Sequence, residues 1–125
     1  MSDDPSLPPV FDDAAIARAA GRHDVTEADL RALLAAHQAQ VRANPGVEDI
    51  VYEWRAGFHA QPVVLRTDAA YYLCLRAHVW DEFAEALDLS EEELRAVQSV
   101  HEDLVRAKTG AERDDGERFM VLARA

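Results

Sequence analysis

The chain has 125 residues, long enough for one hydrophobic core and too short for two. It carries 24 acidic against 13 basic residues, a formal charge of −11, and Lys108 is its only lysine. With 49% hydrophobic residues, a single cysteine and no apolar run near the roughly 20 residues of a membrane span, the composition argues against global disorder, a disulfide framework and a membrane-embedded protein.

Acidity with almost no lysine and abundant alanine points to a salt-loaded cytoplasm. Molar potassium shortens the Debye length to about 3 Å and removes most of the self-repulsion. The acidic N-terminus lacks the basic start and apolar run of a signal peptide, so a cytoplasmic location is expected.

Residues 1–10, with three prolines and two aspartates, read as a flexible arm ahead of one globular domain over 11–125. Three helix starts share one grammar. Asp12, Thr26 and Ser90 are N-caps, and the residue before each (Phe11, Val25, Leu89) is placed to pack on Ile16, Leu30 and Leu94. Glu93 completes a capping box with Ser90. The Thr26 helix should run to about residue 43, with Leu30, Leu33, Leu34, His37 and Val41 on one face. Asn44-Pro45-Gly46 ends it, and Pro45 opens a third helix over 45–58 bearing Ile50, Val51 and Trp54. The runs 62–66 and 70–76 flank Thr67-Asp68-Ala69 and suit a hairpin. A helix over 79–88 follows, then the Ser90 helix to Lys108 with Gly110 as its C-cap, and a third strand over 119–123. The expected fold is a mostly helical α+β domain: about five helices with a hairpin or small three-stranded antiparallel sheet.

At a constant offset of 64 residues, the segment from Val25 lies over the segment from Leu89, with His37 over His101 and Val41 over Val105. Two capped amphipathic helices look alike for generic reasons. A duplicated helical hairpin, 11–46 and 75–110, is the sharper alternative.

The run Val51-Tyr52-Glu53-Trp54-Arg55, then Arg66-Thr67-Asp68, Tyr71-Tyr72-Leu73 and Val79-Trp80-Asp81-Glu82-Phe83, resembles a family of small uncharacterised haloarchaeal proteins. That resemblance implies a salt-loaded archaeal cytosol and carries over no activity, cofactor or site.

His37 and His101 lie on the apolar faces of the two long helices and could meet, but no third donor stands at the usual spacing. Metal binding there is therefore the weaker reading against a pair of half-buried histidines. His78 and Glu82, one turn apart, could pair as acid and base or simply form an exposed pair. His59 can satisfy the carbonyls ending the third helix. By strand alternation Tyr72, Cys74 and Arg76 share a face opposite Tyr71, Leu73 and Leu75. If the leucine face is the core, Arg55, Tyr72, Arg76 and His78 outline a shallow ligand site. Cys74 would need a base and a lowered pKa to act as a nucleophile.

The glycines are scattered singly, so no phosphate loop is formed, and paired-histidine zinc motifs, nucleophile elbows and calcium loops are missing. No cofactor is expected. The favoured reading is an interaction or regulatory module without catalysis, self-associating or binding another protein. The alternatives are a small-molecule-binding domain or enzyme using Tyr72, Arg76 and His78, and a winged-helix-like nucleic-acid binder. The last is disfavoured by the missing basic footprint.

Overall fold

A computed structural model of the chain describes residues 7–43, 46–57 and 61–124. Five helices and a three-stranded antiparallel sheet form one mostly helical α+β domain: α1 (Asp13–Arg22), α2 (Glu27–Ala43), α3 (Val47–Gly57), β1 (Val63–Arg66), β2 (Ala70–Arg76), α4 (Ala77–Leu87), α5 (Glu91–Thr109) and β3 (Glu117–Ala123). Asn44, Pro45, Phe58 and His59 lie outside the described residues. Leu7 and Val10, at the end of the expected arm, pack against the core.

The local signals act as read. The Asp12 carboxylate accepts from the Ala15 N–H at 2.8 Å, and the Thr26 hydroxyl from the Asp29 N–H at 3.1 Å. Ser90 and Glu93 form a reciprocal capping box. Gly110 ends α5 with φ +67°, a left-handed conformation that costs glycine least. Asp88 ends α4 in the same region at φ 55°, one of the few non-glycine residues that tolerates it.

Three starts differ from expectation: α3 begins at Val47 rather than at residue 45, because Gly46 is left-handed at φ 109°. Helix α4 begins two residues early, directly from β2, with Arg76 as N-cap and no side-chain cap. The Ala77 N–H instead donates to the Gly116 carbonyl, so the turn leading into β3 satisfies a free donor of the first turn. Strand β3 also begins at Glu117, two residues early, because its pairing with β2 continues to Arg76 opposite Glu117.

The strand order is β1-β2-β3, so β3, arriving after two helices, makes β2 central. In register, Tyr72 faces Val121, Leu73 faces Met120 and Cys74 faces Phe119. The expectation of one core face and one open face on β2 is overturned. Tyr72 and Leu73 are both buried, as are Phe119, Met120, Val121 and Leu122. Elements cover both faces: Arg106 of α5 lies over the Phe119 ring, while Glu48 of α3 accepts from the Tyr71 hydroxyl on the other face. Strand β2 and strand β3 are mostly buried on both faces while β1 keeps Val64 and Arg66 exposed, which strand alternation in isolation cannot reveal.

Candidate functional site

A three-stranded sheet has two edges, and an unpaired edge inside a core would strand backbone donors and acceptors at a cost of about 1–3 kcal/mol each. The outer edge of β3 is buried and closed by side chains. The Phe119 carbonyl accepts from Trp80 Nε1 at 3.1 Å, and the Phe119 N–H donates to Glu102 Oε2 at 2.6 Å. The Val121 N–H donates to His101 Nδ1 at 2.8 Å, and its carbonyl accepts from Gln38 Nε2 at 2.9 Å. The Ala123 N–H donates to Gln38 Oε1 at 2.9 Å. Side chains from α2, α4 and α5 thus stand in for a fourth strand.

The buried polar residues of the described chain are His37, Gln38, His101 and Glu102. Three of them bond this edge, and the fourth, His37, bonds Gln38. Glu102 is additionally held by Arg113 and by Arg106.

His37 and His101 do meet, edge to face, with ring centroids 5.3 Å apart and planes at 89°. The β3 edge fixes their tautomers. His101 Nδ1 accepts a backbone N–H, so its hydrogen must sit on Nε2. Gln38 is oriented by the Ala123 N–H and the Val121 carbonyl, so its second amide hydrogen faces His37 Nδ1 at 3.2 Å and places that ring's hydrogen on Nε2 too. Neither Nε2 has a hydrogen-bond partner. The surroundings are rings: Trp80 lies 4.7 Å from His37 and 4.8 Å from His101, with Phe83 against the first and Phe11 against the second. Their π faces are the acceptors available to these N–H groups. In this state neither imidazole offers a lone pair to a metal or a proton. Among the described residues no group of three or more His, Cys, Asp or Glu side chains is placed to hold a metal ion.

The other candidates are dispersed. Tyr72 is in the core, Arg55 is exposed on α3, and Arg76 and His78 are exposed at the start of α4. No hydrogen bond or ion pair among the described residues joins these four, or joins His78 to Glu82. Cys74 is half-buried, and burial, with Glu117 close enough to hydrogen-bond the thiol, pushes its pKa up to about 11. A thiol so held is almost wholly protonated. Alkylation by iodoacetamide near pH 8 should run roughly two orders of magnitude slower than for an unperturbed cysteine; a rate close to that of free cysteine would show that the thiol is activated.

Gln38, Glu102 and Trp80 were not singled out from the sequence as polar partners of one strand. A signal existed, since the offset of 64 that places His37 over His101 also places Gln38 over the near-isosteric Glu102. Both buried positions reach β3.

Among the described residues an open notch of about 180 Å³ lies between α2, α3 and α4, lined by Gln40, Ile50, Trp54, Val79, Glu82, Phe83 and Ala86. Ile50 and Trp54 of α3 are half-buried, and both line the notch. Phe83 forms part of the wall and meets His37 edge to face behind it.

A family model of a domain of unknown function, DUF8048, matches residues 9–124. The chain belongs to the DUF8048 family. Nothing among curated proteins or solved structures matches it. The DUF8048 span takes in every helix and strand described above, the β3 edge and the notch included. Family membership agrees with the expected resemblance to an uncharacterised family and supplies no chemistry.

Proposed function

We propose that this chain is a protein-interaction module without catalysis, docking its partner at the notch between α2, α3 and α4. The observation that carries the reading is the size and lining of that notch. Small-molecule sites usually enclose about 300–1,000 Å³ and converge several polar groups. Here about 180 Å³ is walled mainly by apolar side chains, with Gln40 and Glu82 as the polar liners. That volume is close to the roughly 150 Å³ of a cavity that takes a benzene ring, so it suits one large side chain of a partner. The dispersed positions of Arg55, Tyr72, Arg76 and His78 give less support to a ligand-binding enzyme.

The acid excess favours work in a salt-loaded, haloarchaeal-type cytosol. It also disfavours nucleic acid, and no helix among the described residues is long and apolar enough to cross a membrane. The matched roles of Gln38 and Glu102 support a duplicated helical hairpin as the origin of the two long helices. Failure of α1–α2 to superpose on α4–α5 would remove that reading.

Ala86→Arg tests the docking proposal. Ala86 is exposed, and an arginine there can fold over the notch towards Glu82 one turn earlier without touching the core. In molar potassium chloride, size exclusion with light scattering and affinity capture should show an association of the native chain that the variant loses. Equal association by both chains, or a strict monomer with no captured partner, contradicts the reading.

A further inference from the structure

We infer that the notch receives an apolar side chain borne beside a positive charge, making the partner a basic amphipathic protein segment rather than a second copy of this chain; the inference rests on the interaction reading above. The charge around the notch carries it. Glu82, the charged residue of the lining, is exposed, and no cation among the described residues pairs with it. Helix α4 adds Asp81 and Glu85 and contains no Arg or Lys. Across the notch α3 carries Glu48, Asp49 and Glu53 against Arg55 alone. Of these acids Glu48 is already engaged by Arg124.

A second copy would bring one acidic rim into direct contact with another and, through α4, would offer Glu82 no Arg or Lys, which contact-range complementarity disfavours even where salt screens the net charge. Polyanionic partners meet the same repulsion. A lysine or arginine one helical turn from an inserted Leu, Phe or Met reverses the sign: the apolar group fills the notch while the cation reaches Glu82. The half-exposed Trp54 ring offers that cation a second attraction.

Three probes sharing a phenylpropyl body separate the contributions when titrated into the isotope-labelled full chain by NMR at low salt: 3-phenylpropylammonium, 3-phenylpropanol and 3-phenylpropionate. The expected result is saturable shifts at Ile50, Trp54 and Phe83, weak in absolute terms, with the ammonium binding roughly two- to fivefold tighter than the alcohol and the carboxylate weakest. Glu82→Gln should bring the ammonium to the level of the alcohol, whereas Glu91→Gln, on α5 away from the notch, should leave the preference intact. An ammonium no tighter than the alcohol, or a preference that survives Glu82→Gln, overturns the basic partner and leaves the docking notch standing. No saturable shift at the notch with any probe overturns both.

Discussion

Replacing Gln38 with leucine is expected to lower the unfolding free energy by roughly 2–5 kcal/mol, a large part of the total for a domain of this size. Leucine fills a similar volume, so the loss comes from hydrogen bonding. The Val121 carbonyl and the Ala123 N–H each lose a buried partner, and water cannot reach them because Gln38, Val121 and Ala123 are all buried. The same change at Gln40, two residues on and exposed, should move stability by no more than about 0.5 kcal/mol. Urea unfolding of both variants in molar potassium chloride makes the comparison. Equal effects of the two substitutions would mean that the β3 edge does not depend on Gln38.

Acid should weaken the fold through the histidine pair. Burial lowers His37 to about 3, and burial together with the His37 ring lowers His101 well below 6.5. The unfolded chain therefore binds protons near pH 6.5 that the folded chain refuses. The contribution of the pair is complete above that pH and is lost as the pH falls from it towards the folded-state values. Each imidazole adds a slope of up to about 1.4 kcal/mol per pH unit. The geometry explains the refusal. A proton on His101 Nδ1 would set a second donor against the Val121 N–H. The carboxylate next to it in the chain, Glu102, is already occupied by Arg113, Arg106 and the Phe119 N–H. Phe11, Trp80 and Phe83, the remaining ring neighbours, carry no charge.

His37→Phe keeps a ring against Trp80 and Phe83 and removes one titration. Its stability should fall with about half the native slope between roughly pH 6 and pH 4.5. High salt is needed, because at low salt the neutralisation of carboxylates relieves the repulsion of a −11 chain and opposes the effect. Parallel pH profiles for the two chains would remove the histidine pair as the cause.

What was legible in the sequence was local. A cap is made by residues three apart, so Asp12, Thr26 and Ser90 announce their helices without knowledge of the rest of the fold. The apolar stripe likewise put His37 and His101 on inward faces. Gln38 was opaque because a glutamine on an amphipathic helix ordinarily belongs to the solvent face. Its partners lie 83 and 85 residues away, on a strand that arrives last. Glu102 is opaque for the same reason, since its partner Phe119 lies 17 residues on, across the end of α5. Tyr72 was misplaced because alternation assumes an open sheet face, and α5 covers the face that Tyr72 shares with Phe119 and Val121. The notch was half legible: Ile50, Trp54, Val79 and Phe83 stand out as apolar, but whether two stripes close on each other or leave a gap depends on helix packing.

The closing of the β3 edge by side chains is tested most directly by native-state hydrogen exchange of the β3 amides. Met120 and Leu122 face β2 in an ordinary ladder, whereas Phe119, Val121 and Ala123 point outward to Glu102, His101 and Gln38. If those side chains replace a fourth strand, the outward amides will exchange as slowly as the inward ones, at the rate of global unfolding. Outward amides exchanging orders of magnitude faster than their inward neighbours would show an open edge, and the buried polar residues would then need another explanation.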